Sequence, residues 1–171
     1  SKGIDDNADA TAMTIDSAEN IGIGQAPESG YHANWTAVDV GNRGGLAQYK
    51  TAGDVTLTYN LYHDGAWKAK ENAGSGRYVI GATPYHIWYN GASASADGAV
   101  TLTERMRIND NGAVGIGDDD PQDLLHVKGG QAQIESTAGD ASYLRINNTA
   151  NTGGKIWRAG DGVLSHGTFS I

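Results

Sequence analysis

Between residues 59 and 89 the chain gathers the side chains best able to hold a ligand. Tyr59, Tyr62, Trp67, Tyr78, Tyr85, Trp88 and Tyr89 stand beside His63, His86 and several asparagines. Aromatic rings cover the apolar faces of sugars, while amide, imidazole and hydroxyl groups read their hydroxyls. A glycan-binding surface is therefore expected here, carried by Tyr62, His63, Trp67, Tyr85, His86, Trp88 and Tyr89. The competing reading makes the rings a core, since the block has little else to fill one. Tyr62, on the polar side of its strand, is expected to be among the least core-like.

Catalysis and metal binding find less support. Glycoside hydrolysis needs two carboxylates across a cleft, and the block offers Asp54, Asp64, Glu71 and Glu104. Asp64 precedes Gly65 and is consumed by a turn; Glu104 lies on an apolar face and is expected to pair with an arginine from a neighbouring strand or subunit. No Gly-x-Ser-x-Gly elbow exposes a serine. Asp118-Asp119-Asp120 lacks the spaced ligands and distal Glu of a calcium loop and reads as a solvated acidic turn. His32, His63, His86, His126 and His166 are scattered; His126, between Leu125 and Val127, should point away from their face. Gly153-Gly154-Lys155 lacks the first Gly and the Ser/Thr of a phosphate loop. No catalytic residue, metal site or cofactor is expected.

One phrase occurs twice. Met13-Thr14-Ile15 followed by Ile21-Gly22-Ile23-Gly24, with Pro27 beyond, recurs as Met106-Arg107-Ile108 followed by Val114-Gly115-Ile116-Gly117, with Pro121 beyond. The spacing from methionine to second glycine is the same both times. A dinucleotide loop would need a third glycine at the head of a helix, and none follows. The glycines are instead expected to permit close strand approach at a crowded axis. Self-similarity of this kind marks arrays whose units cannot bury their apolar faces alone.

Composition agrees. Large aliphatic residues are scarce against 25 Gly in 171 residues, near the level at which a lone chain fails to offset its conformational entropy. Eight Tyr and four Trp nevertheless argue against disorder and for burial between copies of the chain. The net charge of −8, roughly −24 for three copies, repels nucleic acid and anionic membranes. The lack of Cys removes disulfides and thiolate metal sites. No apolar run reaches the length of a membrane span, so neither nucleic-acid binding nor membrane insertion is expected.

The elements that position these residues are strands. Val55, Leu57, Tyr59 and Leu61 alternate with Thr56, Thr58, Asn60 and Tyr62, the period-2 pattern of a half-buried strand. Asp64-Gly65 turns the chain into Ala66-Trp67-Lys68. Further strands are expected at Tyr78-Val79-Ile80 and at His86-Ile87-Trp88-Tyr89, the latter closed by Asn90-Gly91. Val100, Leu102, Glu104, Met106 and Ile108 are expected to share one face, with Asn111-Gly112 turning into the second phrase. Short strands resume at Gln133-Ile134-Glu135, Tyr143 to Asn147 and Lys155 to Arg158. No window carries helical periodicity, and the expected class is all-β.

Arg105-Met106-Arg107-Ile108, Asn111-Gly112-Ala113-Val114-Gly115-Ile116-Gly117, Pro121 and Leu124-Leu125-His126-Val127 together resemble a signature recurrent in bacteriophage tail fibres and tail spikes. The block containing Trp35, Asp39-Val40-Gly41, Asn60 to Lys68 and Trp88 looks like the module that often sits between two such phrases. The resemblance implies a homotrimeric, extracellular fibre segment of a virion, joined to other tail proteins and attaching to a bacterial surface glycan. Relatives of this kind often end in an endosialidase-type self-cleaving chaperone, of which no part is visible here. The alternatives are a purely structural shaft and a tail-spike depolymerase acting through Asp54, Glu71 or Glu104. The expected organisation is the end of a preceding repeat (1–30), a β-sandwich-like module (31–108), a second phrase with Leu-Leu-His-Val shaft (109–130) and the start of a further module (131–171). Ile21, Ile23, Val114, Ile116, Leu125 and Val127 are expected near the three-fold axis.

Overall fold

A computed structural model describes residues 12–83 and 85–132. The expected strands at 133–135, 143–147 and 155–158, and all but the first two residues of the further module, lie outside the described residues. Every regular element described is a strand: β1 Met13–Ile15, β2 Ile21–Ile23, β3 Trp35–Val40, β4 Gly44–Tyr49, β5 Val55–Tyr59, β6 Leu61–His63, β7 Trp67–Ala69, β8 Ala73–Ile80, β9 His86–Ala94, β10 Leu102–Ile108, β11 Val114–Ile116 and β12 Leu125–Val127. Ten of them form one mixed sheet in the order β1-β2-β3-β4-β5-β8-β9-β10-β11-β12, while β6 and β7 form a separate two-stranded layer. The second layer of the expected sandwich is thus only a hairpin, and the two phrases lie towards opposite ends of a single sheet.

The phrases fold alike. β1 and β2 are antiparallel, with Met13 opposite Ile23, and β10 and β11 repeat this with Met106 opposite Ile116. Each phrase is then followed by a parallel strand, β3 beside β2 and β12 beside β11. A parallel partner requires the chain to cross back, and the crossing loop passes over the first glycine. A Cβ on Gly22 would lie 2.2 Å from the Gln25 carbonyl oxygen and 2.5 Å from Pro27 N; one on Gly115 would lie 2.3 Å from the Asp118 oxygen. The second glycines, Gly24 and Gly117, take φ of 75° and 69°, in the left-handed region that L side chains resist. Within the chain, the crowding that demands glycine comes from its own returning loop.

The Val55–Tyr62 alternation divides at Asn60, whose φ is 57°. There the chain leaves the large sheet and enters the hairpin. Asn60 is fully buried. Its amide donates to the carbonyls of Glu71 (3.0 Å), Ala73 (3.3 Å) and Gly74 (3.3 Å), and its Oδ1 accepts from Glu71 N–H (2.8 Å). The hairpin turns at Asp64-Gly65 and is then held over the sheet: Val100 N–H donates to Trp67 O, Ala69 N–H to Gly98 O, and His32 N–H to His63 O. Beneath it, Leu61, Ala69 and Val100 pack with Leu102 and Ala94, and Trp35, Ala37 and Ala47 with Tyr31 and Tyr49; Trp67 touches both groups. Asn90-Gly91 does not close a strand, since β9 runs through it; a Cβ on Gly91 would meet Val100 Cγ1 at 2.4 Å.

The buried half of β5 is its threonine side. Thr56 and Thr58 are buried, whereas Val55, Leu57 and Tyr59 are exposed. Directly opposed residues share a sheet face, so one cross-strand row can be followed over all ten strands: Ile15, Ile21, Val38, Leu46, Leu57, Tyr78, Trp88, Met106, Ile116, Val127. A second row flanks it, with Val55, Ile80, His86, Ile108, Val114 and Leu125. This face is apolar from edge to edge and open, Leu57 being 54% and Ile15 62% exposed. The hairpin covers the other face.

Nor do Val100 to Ile108 share one face. Glu104 opposes Tyr89 and Met106 opposes Trp88, so Arg105 is an extra residue in β10. A bulge shifts the side-chain period by one. Leu102 and Glu104 consequently lie on the hairpin side, and Met106 and Ile108 on the open side.

Asn60→Ala removes four hydrogen bonds and places a β-carbon residue without a local polar partner in left-handed backbone. It should cost about 3 kcal/mol, read as a lowered denaturant midpoint. Asn60→Gly keeps the backbone but loses the amide, and should fall between wild type and Asn60→Ala.

Candidate functional site

The seven expected ligand-binding residues fall into separate environments. Tyr62 is buried, a correction to its expected openness: it sits under Gly30, edge-on to Tyr31, and its hydroxyl donates to Asp97 Oδ1 at 2.8 Å. It reaches this position because the corner at Asn60 reorients the chain after β5. His63 and Trp67 face each other across the hairpin and pack on Trp35, with centroid separations of 5.0 to 5.3 Å. Burial is the main influence lowering the His63 pKa from its ordinary value. The Arg77 guanidinium lies 4.4 Å from the Trp67 ring centroid and 5.6 Å from that of Tyr89, the geometry of cation–π contact. Tyr85 lies across Gly81 in the loop before β9, where a Cβ would collide with its ring.

His86 and Trp88 lie on the opposite, open face. There Trp88 packs against Tyr78 with centroids 4.9 Å apart, and the Tyr78 hydroxyl shares a 2.5 Å hydrogen bond with His86 Nδ1. The sheet therefore separates Tyr62, His63, Trp67 and Tyr89 from His86 and Trp88, and the seven residues do not line one surface.

The carboxylates considered for hydrolysis each have a partner. Glu71 pairs with Arg43 at 2.6 Å and accepts from Asn42; Asp64 pairs with Lys68 at 2.7 Å; Asp54 accepts the Ala82 N–H. Glu104 pairs with Arg107 of its own strand, at 2.6 and 2.9 Å, and not with a neighbour as expected. The bulge at Arg105 is the cause, since it brings residues three apart onto one face.

Two buried polar clusters escaped the sequence reading. In the first, Asp39 on β3 is fully buried and its Oδ1 lies 2.5 Å from Lys70 Nζ; the Lys70 side chain is only 3% exposed. Tyr31 O–H donates to Oδ1 (2.9 Å) and Glu28 N–H to Oδ2 (2.8 Å). Burial, followed by Asp39, raises the Tyr31 pKa far above its usual range. In the second, Asp118 is buried, unlike the solvated turn expected there. Its oxygens lie 2.8 Å from Lys128 Nζ and 2.6 Å from His126 Nδ1. His126 thus points away from Leu125 and Val127, as its place in the strand requires. Asp39 opposes Gly22 and His126 opposes Gly115, so the same register position of each phrase carries a polar pair. The signal missed in the sequence was this register. Among the described residues no three His, Cys, Asp or Glu side chains converge as a metal site would require.

No family model, curated protein or solved structure matches this chain.

The hydrogen bond from Lys128, with charge from His126 and Lys128 added, holds the Asp118 carboxyl below its ordinary value of 3.8. A carboxyl depressed by folding contributes stability above its unfolded value and loses it as pH falls through the folded one. Acidification below about pH 4 should therefore loosen the β11–β12 edge. The protection factor of the Lys128 amide, which donates to Ile116 O, should fall there in wild type and show a smaller acid response in Asp118→Asn.

Proposed function

We propose that this chain is a structural segment of a homotrimeric bacteriophage tail fibre, part of an extracellular apparatus that attaches a virion to its bacterial host. The observation that carries the reading is the orientation of the large sheet. Its covered side holds Asp39, Thr56 and Thr58 together with Trp35, Val79 and Ile87, while on the other side an uncovered row of aliphatic and aromatic residues runs across all ten strands. Soluble monomers rarely expose a continuous apolar patch of more than a few hundred Å². A second copy of the chain offers a surface of the same chemistry, and packing copies face to face buries both. Ile21, Ile23, Val114, Ile116, Leu125 and Val127, the residues expected near the three-fold axis, all belong to this open face. The number three, and the assignment to a phage, rest on the likeness of the repeated phrases to tail-fibre signatures.

The geometry favours the shaft role over glycan binding within this segment. Of the residues expected to hold a sugar, Tyr62 is buried, Trp67 is engaged by Arg77, and His86 and Trp88 lie in the face assigned to assembly. Host recognition is then multivalent and belongs to the whole fibre, which presents several copies of each weak contact at once.

Light scattering coupled to size exclusion tests the assembly. The expected native mass is three times that of the chain, and a folded, soluble monomer overturns the reading. Leu57→Lys with Val38→Lys places charge in the central row and should convert the trimer to monomers or aggregates. Each lost apolar side chain removes about 2 kcal/mol of burial per chain. A glycan panel should show no binding by the intact trimer. Binding that disappears in His63→Ala while the trimer persists would return this segment to the receptor-binding class.

A further inference from the structure

We propose that Asp39 and Lys70 become joined by an intramolecular isopeptide bond, an amide between the Asp39 carboxyl and the Lys70 ε-amine formed with loss of one water. The bond would tie β3, beside the first repeat phrase, to the residue that follows β7.

Proximity and enclosure come first. Lys70 Nζ lies 2.5 Å from Asp39 Oδ1, with the two side chains 3% and 0% exposed. A buried ammonium needs acceptors for three N–H groups. Lys70 Nζ has the Asp39 carboxylate beside it but makes no well-directed hydrogen bond. A charged pair held in this way bears a desolvation cost that a neutral amide does not. The same site is equipped for the reaction. Tyr31 O–H and Glu28 N–H donate to the two carboxyl oxygens and orient the group. The Tyr31 ring lies 5.7 Å from Nζ and walls the site with aromatic surface. Space is provided by Gly45, opposite Asp39 in the sheet: a Cβ there would lie 3.3 Å from Asp39 Oδ1 and 3.6 Å from the Tyr31 hydroxyl.

The reaction balances without an oxidant, a metal or a second substrate. One proton passes from the ammonium to Oδ1, leaving a free amine and a neutral carboxylic acid. The nitrogen lone pair attacks Cγ and forms the C–N bond. A second proton leaves the nitrogen for Oδ1, relayed through the Tyr31 hydroxyl that touches that oxygen, and the Cγ–Oδ1 bond breaks to release water. Oδ2 remains as the amide carbonyl, still accepting from Glu28 N–H, and the nitrogen keeps one hydrogen. Fixing both reactants in one enclosed site supplies effective concentrations of order 10⁵ M or more, and departure of water from an apolar site draws the condensation forward.

Intact-mass spectrometry of the denatured wild-type chain, after prolonged incubation in the folded state, decides the matter. The expected mass is one water below that of the sequence, with a branched peptide joining the segments around Asp39 and Lys70 after proteolysis. Asp39→Ala and Lys70→Arg should each return to their full sequence mass, and Tyr31→Phe should accumulate the lighter species more slowly. A folded wild-type chain at full sequence mass, with Lys70 freely modified by an amine reagent once denatured, overturns the proposal. So does a water loss that persists in Asp39→Ala, because the dehydration then lies elsewhere. The decisive reading is taken on the wild type, so it does not depend on the variants folding.

Discussion

The two-layer arrangement depends on one left-handed residue. At Asn60 the chain must stop being the fifth strand of a large sheet and become the first strand of the layer above it. Backbone in this region is tolerated by asparagine better than by most residues because a short amide can bond locally. Here the amide does more, since it takes up three carbonyls and one N–H from the segment that enters β8. The corner thus fixes both the departure of the hairpin and the re-entry of the chain. What the hairpin brings to the sheet follows from that pinning, including Trp67, the Leu61–Ala69–Val100 cluster and Lys70 beside Asp39.

The buried side of the large sheet carries Asp39, Thr56, Thr58 and Arg77 among Trp35, Ala37, Ala47, Val79 and Ile87, so much of its polar surface is enclosed. Several of the buried polar groups are engaged: Thr56 donates to Tyr78 O, Arg77 Nε donates to Thr56, and Asn20 accepts from Ala37 N–H while donating to Asp16; Thr58 Oγ1 and Lys70 Nζ are buried without such a partner. Such a core specifies register sharply, since slipping one strand by a residue would strand these groups without partners. The apolar side supplies little of this specificity within one chain. Its rows are long and similar, which suits contact with further copies better than closure onto a single hairpin.

Much of the strand content was legible. The Thr/Val alternation of β5 and the turns at Asp64-Gly65 and Asn111-Gly112 follow from local pattern and turn chemistry. Which face would be covered was not legible, because period 2 defines two faces without saying what lies over either. The bulge at Arg105 was equally silent: a single extra residue leaves the composition of β10 unchanged and reverses the facing of Met106 and Ile108. For the candidate site, the aromatic residues were legible only as neighbours in the chain, with no sign of which sheet face each would occupy. Their division across the sheet depended on β8–β9 pairing, which brings Tyr78 and Trp88 together and places Arg77 against Tyr89. The pairing of Asp39 with Lys70 depends on a contact between distant segments, and residue types alone gave no hint of it.

The twin parallel strands have a consequence for how such a chain can change length. β3 leaves the first phrase and β12 leaves the second from the same register, with the same side of the backbone turned to the open face. Whatever follows one phrase could be grafted after the other without reversing inside and outside. By register alone, the intervening block could be deleted or duplicated by recombination between the two phrases in frame with the pleat. In the fibre proposed above, such cassettes would vary its reach in whole steps while keeping the open faces of successive blocks aligned.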